Sequence, residues 1–181
     1  MMGNIFYLSG FMASGKSTIG PILANTLGWK FIDLDKEIEK REKKKITQIF
    51  SDEGEEYFRQ RETELLREVS IGDRLIISLG GGTLIKPENR DFIMSTGKLI
   101  FLKTSPRIAY ERLKYKNDRP VLINNGEEEM DRETYIERIE SLMEKRKDIY
   151  SIADFTFNTD SDSVGKTVDK ITRVIRNSIK Q

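Results

Sequence analysis

Ser9-Gly10-Phe11-Met12-Ala13-Ser14-Gly15-Lys16-Ser17-Thr18 satisfies the phosphate-binding pattern G-x-x-x-x-G-K-[ST] at every constrained position. The strand-like run Ile5-Phe6-Tyr7-Leu8 precedes it, and Ile19, Ile22, Leu23 and Leu27 follow at helical spacing. That strand–loop–helix context is what the chemistry requires. Gly10 and Gly15 admit backbone angles closed to other residues, so successive N–H groups can turn inward onto phosphate oxygens. The loop opens onto a helix N-terminus, whose unpaired N–H groups and positive dipole end favour an anion. Lys16 is placed to reach the β- and γ-phosphates, and the Ser17 hydroxyl to ligate Mg²⁺. Ala13, Ser14 and Thr18 complete the cradle. The reading is a site for a nucleoside triphosphate, and the fold is built outward from it.

The composition narrows the function classes. The 181 residues make one domain of ordinary size, 1–181, with enough chain to bury a core. Lys+Arg 31 against Asp+Glu 30 gives a net charge of +1, which provides no global field for nucleic acid or an anionic membrane. No apolar run approaches the ~20 residues of a membrane span. The N-terminal apolar run is interrupted by Gly10 too early for a secretory signal, so a cytoplasmic protein is expected. There is no cysteine, hence no disulfide, thiolate nucleophile or cysteine-held zinc. The absence of histidine is more restrictive: a general base must be a carboxylate, lysine, tyrosine or the substrate itself.

Beyond the first helix, which Gly28 terminates, the sequence alternates strands and helices. Strands are expected at 30–35, 75–79, 98–102 and 155–158. Helical stretches are expected over 36–70, with breaks at Lys43-Lys44-Lys45 and Gly54, and then at 88–96, Arg107–Leu113, Arg132–Tyr150 and Val164–Ile179. Such alternation implies a parallel α/β sheet covered on both faces. In these sheets ligands sit beyond the carboxyl ends of the strands.

Three features fall at that edge: the phosphate loop, Asp33 and Asp35 after the second strand, and Gly80-Gly81-Gly82 after the third. Two apart on an extended segment, Asp33 and Asp35 would face one side. One could hold the hydration shell of Mg²⁺ while the other takes a proton from an attacking hydroxyl. The competing role is helix capping, for which Asp is well suited. Three adjacent glycines let a small ligand lie directly on the backbone. Arg59 and Arg146 can each grip a carboxylate with two N–H groups, yet either could instead be a surface arginine paired with a neighbour such as Glu55 or Glu62. The segment Lys114 to Glu129 is the longest non-periodic stretch. As a lid carrying Arg119, it would close on the transferring phosphoryl group and exclude water.

Taken together, these residues resemble the shikimate kinase family over essentially the whole chain. The resemblance rests on the phosphate loop, Phe31-Ile32-Asp33-Leu34-Asp35, Phe58-Arg59 with Glu62, Leu79-Gly80-Gly81-Gly82, Asp118-Arg119-Pro120-Val121-Leu122, and Arg146-Lys147-Asp148-Ile149-Tyr150 through Ala153-Asp154. It implies a three-layer α/β/α P-loop kinase fold with a five-stranded parallel sheet, substrate-binding helices within a shikimate-binding segment at 34–62, and a mobile lid at 114–126. It further implies transfer of the ATP γ-phosphoryl group to the 3-hydroxyl of shikimate, with Mg²⁺ as cofactor and ATP as co-substrate. Arg59 and Arg146 would clamp the shikimate carboxylate. Asp35 would orient or deprotonate the hydroxyl, and Gly80, Gly81 and Gly82 would line the ring's pocket. Asp33 and Ser17 would stand at the metal, and Lys16 and Arg119 would stabilise the moving charge. Arg112 is similar in position to the family's adenine-stacking arginine, with Asn158 to Asp160 at the adenine pocket. A monomer is expected. Leu34, Ile149 and Lys147-Asp148 depart from the residues usual in the family. A gluconate or nucleotide kinase of the same architecture, or a non-catalytic nucleotide-binding protein, remains the alternative.

Overall fold

The structure is a computed structural model that describes residues 4–114 and 131–179. Five parallel strands form one sheet in the order β2-β3-β1-β4-β5. The strands are β1 (Ile5–Ser9), β2 (Lys30–Asp33), β3 (Leu75–Ser78), β4 (Lys98–Lys103) and β5 (Phe155–Asn158). β1 is buried along its whole length, as its unbroken apolar run requires of a central parallel strand. Its side chains alternate between two cores. Ile5 and Tyr7 join Ile77, Leu79 and Leu99 on one face, whereas Phe6 and Leu8 join Ile76, Ile100 and Leu102 on the other.

The second face is covered by α1 (Lys16–Leu27) and α9 (Val164–Ser178), which pack together. The first face is covered by α2 (Leu34–Glu42), α3 (Ile46–Asp52), α4 (Gly54–Val69) and α5 (Pro87–Thr96). The three-layer α/β/α architecture with five parallel strands is therefore as expected. A separate small core lies between α6 (Pro106–Leu113) and α7 (Arg132–Glu144), where Ala109, Leu113 and Ile139 enclose Phe11 of the phosphate loop. No helix among the described residues is long and apolar enough to cross a membrane.

Two elements differ from the sequence expectation, both at the site. The second strand ends at Asp33 rather than at residue 35. Asp33 caps α2 by accepting a hydrogen bond from the Lys36 amide at 3.2 Å, and Asp35 lies in the helix's first turn. The extended arrangement expected to turn both acids to one side therefore does not exist: Asp33 stays in the strand, opposite Ser78, and caps the helix, which carries Asp35 out of the extended register. Second, the helix expected over 132–150 is interrupted. α7 ends at Glu144 and the short α8 (Lys147–Tyr150) begins after Arg146, whose φ of −110° and ψ of 1° leave the helical region. The expected lid, including Arg119, lies outside the described residues.

Candidate active site

The phosphate loop connects β1 to α1 through three residues of positive φ: Gly10 at 153°, Ala13 at 60° and Gly15 at 101°. At Gly10 a Cβ would overlap Ser14 Oγ and stand 2.6 Å from the Leu102 carbonyl, so no side chain fits. Gly15 caps α1 without a side-chain acceptor, and no acid occupies the helix's first turn. The helix N-terminus is thus left to an external anion. Lys16 Nζ donates to the carbonyls of Gly10 at 2.6 Å and Phe11 at 3.3 Å, which folds the lysine across the loop. Ser14 Oγ is buried with no hydrogen-bond partner among the described residues, a polar atom that a bound phosphate would satisfy. Ser17 is exposed at the start of α1.

After β3, the strand beside β1, each of the three glycines faces a charged side chain. A Cβ on Gly80 would stand 2.5 Å from Asp35 Oδ1 and 2.6 Å from Glu62 Oε1. On Gly82 it would overlap the Arg59 guanidinium, whereas on Gly81 the nearest atom is Arg146 Nη1 at 3.7 Å. Arg146 donates to the Gly81 carbonyl at 3.0 Å and sits 5.9 Å over the Phe11 ring, reaching from the glycine turn to the phosphate loop. The break between α7 and α8 places Arg146 at the start of α8, whose last residue, Tyr150, is anchored by stacking on Phe101 at 4.4 Å.

Arg59 does make the ion pairs that the sequence allowed as the competing role. It donates to Glu62 at 2.8 Å and Glu55 at 3.2 Å. Burial works against its charge, but Glu62 and then Glu55 outweigh this and hold its pKa above the ordinary value. The pairs do not remove it from the pocket. Glu62 has a side-chain exposure of 1 %, so this is a buried anchor that aims the guanidinium at Gly82.

On the other flank of the loop, Arg112 donates to the Ala13 carbonyl at 3.0 Å and to the Thr159 carbonyl at 2.6 Å. These bonds hold the guanidinium by its edges. Asp160 accepts from Thr104 Oγ1 at 2.7 Å and the Ser105 amide at 2.9 Å, which ties the segment after β5 to the start of α6. The exposed Asn158 spends its Oδ1 on the Asp160 amide at 2.7 Å, an acceptor role within its own turn. Thr83, Asn89 and Phe11 also contribute to the site's framework, and their contribution was not visible in the sequence. Only the position of Thr83 after the glycines and of Phe11 inside the loop hinted at it.

A phosphate loop after the central strand and an acid-and-arginine pocket over a glycine turn, on a sheet ordered β2-β3-β1-β4-β5, define a P-loop kinase acting on a small acceptor. The sequence model of the shikimate kinase family matches residues 12–176, and the chain belongs to that family. A shikimate kinase from Chlorobaculum parvum is 43% identical over 178 residues, covering 98% of this chain and 95% of that one. Among solved structures, shikimate kinase from Bacteroides thetaiotaomicron superposes with a TM-score of 0.85 at 33% identity, covering 96% of this chain and 98% of its own. The Acinetobacter baumannii enzyme in complex with shikimate gives 0.86 at 30% identity, over 97% and 94%.

Proposed function

We propose that this protein transfers the γ-phosphoryl group of ATP to the 3-hydroxyl of shikimate, giving shikimate 3-phosphate and ADP. The observation that carries the reading is the glycine turn: a carboxylate pair at Gly80, Arg146 at Gly81 and Arg59 at Gly82, with Arg146 also against the phosphate loop. Two guanidinium groups suit one carboxylate, and a carboxylate acceptor suits a ring hydroxyl. Shikimate offers both.

In this reading Arg59 and Arg146 grip the acceptor's carboxylate, and Asp35 accepts from the hydroxyl to be phosphorylated, as orienter or base. The chain has no histidine, and of the two carboxylates beside the turn Glu62 is engaged by Arg59 and Thr83, which favours Asp35 for this role. Lys16, released from its loop carbonyls, follows the β- and γ-phosphates, and Arg119 stabilises the charge from the lid. Arg112, held by its edges, offers a flat cation for the adenine ring, with Asn158 nearby. Hard oxygen donors suit Mg²⁺, and Ser17 and Asp33 provide a hydroxyl and a carboxylate that would hold it with water and phosphate oxygens. Bound there, Mg²⁺ would neutralise phosphate charge. The protein is proposed to act as a cytoplasmic monomer.

The test is ADP release by the purified protein with ATP, Mg²⁺ and a panel of shikimate, quinate, gluconate and nucleoside monophosphates. Shikimate should be preferred by orders of magnitude, because a hydroxyl-reading site leaves its own polar groups unpaired with the wrong ring. Chelation of Mg²⁺ should abolish turnover. Equal rates across the panel, or preference for gluconate, would refute the reading.

A further inference from the structure

We infer that Thr83 is a positioning residue of the acceptor pocket: its hydroxyl fixes the Glu62 carboxylate, and Glu62 in turn aims Arg59. The inference rests on the reading of Arg59 as a carboxylate-binding residue. Thr83 opens the 3-10 turn Thr83–Ile85 and is fully buried, as is Glu62. Its Oγ1 lies 2.6 Å from Glu62 Oε1 and 3.1 Å from the Gly80 carbonyl. A hydroxyl has one proton to give, and the shorter contact to the charged acceptor takes it. Glu62 Oε2 is held from the other side by Arg59 Nη1 at 2.8 Å. Asn89, buried in the same place, donates to the Thr83 carbonyl at 3.0 Å and so fixes the backbone that carries the hydroxyl.

The geometry leaves Glu62 little alternative support. The oxygen that Thr83 protects is the one lying 2.6 Å from the missing Gly80 Cβ, and Asp35 Oδ1 lies 2.5 Å from that same point. Two carboxylate oxygens therefore meet across one glycine, at a separation of about 5 Å or less. Without the Thr83 proton, Glu62 Oε1 would face a like charge with no other hydrogen-bond donor among the described residues, and the carboxylate would rotate away from it. Arg59 would then lose the geometry that lays its guanidinium on Gly82. Thr83 touches none of the reacting atoms. Its effect belongs to acceptor binding, not to the chemical step.

Two measurements on Thr83→Val and Thr83→Ser separate this link from the reading of the pocket. The first is a double-mutant cycle of urea stability with Thr83→Val and Arg59→Gln, which needs no ligand. Because both residues act on Glu62, the two changes should fail to multiply, by roughly threefold or more in the folding equilibrium constant. The second is calorimetric titration with shikimate, alongside steady-state kinetics. Thr83→Val should weaken shikimate binding and raise its KM roughly tenfold, with the ATP KM and the saturated kcat within about twofold of the parent, while Thr83→Ser restores binding. Multiplicative effects in the cycle would overturn the inference. So would unchanged shikimate affinity in Thr83→Val, an equal rise in the ATP KM, or failure of Thr83→Ser to restore binding. A parent protein that shows the coupling yet ignores shikimate would overturn the pocket assignment and leave the Thr83–Glu62–Arg59 link standing.

Discussion

At the scale of single residues, the three glycines of the turn are not equivalent, although the sequence presents them as a uniform run. Gly80 and Gly82 are buried against charged side chains, whereas Gly81 is exposed and, among the described residues, its prospective Cβ meets nothing closer than 3.7 Å. Gly82→Ala should therefore displace Arg59, cost about 1–3 kcal/mol of stability in urea melts and raise the shikimate KM. Gly81→Ala should leave the melt near that of the parent. Similar costs for both would refute the geometry. Asp35→Asn should lower kcat by orders of magnitude while ATP still binds, as read by single-turnover kinetics and nucleotide titration, and near-normal turnover would remove Asp35 from the chemistry. Arg59→Lys keeps a charge for Glu62 but loses the fork, so it separates the two duties of that residue. Stability should be largely kept and shikimate binding weakened. The phosphate-loop residues were legible because their geometry is local: glycine, lysine and serine at fixed offsets suffice. The pairing of Arg59 with Glu62 was open to two readings, since helical neighbours three apart pair on any surface. Only the burial of Glu62 against Thr83 turns that pair inward.

At the scale of elements, strands and helices followed the apolar pattern closely, and the departures came at Asp33 and Arg146. Asp33 ended β2 by capping α2, and Arg146 took a non-helical conformation between α7 and α8. Periodicity reports apolar spacing, and that of Ile139, Leu142, Met143, Ile149 and Tyr150 runs on at helical intervals although α7 packs in the core around Phe11 and α8 in the core with Tyr7, so the pattern could not show the break. Contacts between elements were equally hidden. Gly20 lies inside α1, where alanine normally gains about 1 kcal/mol over glycine. In this protein a Cβ at that position would overlap the Phe31 ring on β2 and stand 3.2 Å from a Leu8 methyl. Gly20→Ala is thus expected to destabilise by about 1–3 kcal/mol, against propensity. A thermal melt at or above that of the parent would show that α1 can move off the sheet at little cost.

At the scale of the whole molecule, the nucleotide cradle and the acceptor pocket sit at the same edge of the sheet because β1, β2 and β3 run parallel and side by side. Their following segments must then converge, and this much was legible from the strand–helix alternation alone. The protein's response to pH is also a property of the whole. With no histidine, no side chain has an ordinary pKa between about 5 and 8, and folding stability should be flat across neutrality. The alkaline limit is set by tyrosines inside the core. Burial pushes the Tyr7 hydroxyl above its ordinary 10.0, against the smaller opposite pull of bonds to Ser70 and Thr96, and burial pushes Tyr150 up likewise, against Arg146. A phenol whose pKa is raised by folding contributes stability that is fully present below its unfolded pKa. That contribution falls as pH rises, because the unfolded chain ionises first and the native one resists. Urea stability should therefore decline from about pH 10 upward. Tyr7→Phe should flatten the decline while lowering the neutral plateau by about 1 kcal/mol for the lost bond to Thr96 Oγ1 at 2.8 Å. If the Tyr7→Phe profile kept the full alkaline slope of the parent, the buried phenol would not be the group that titrates.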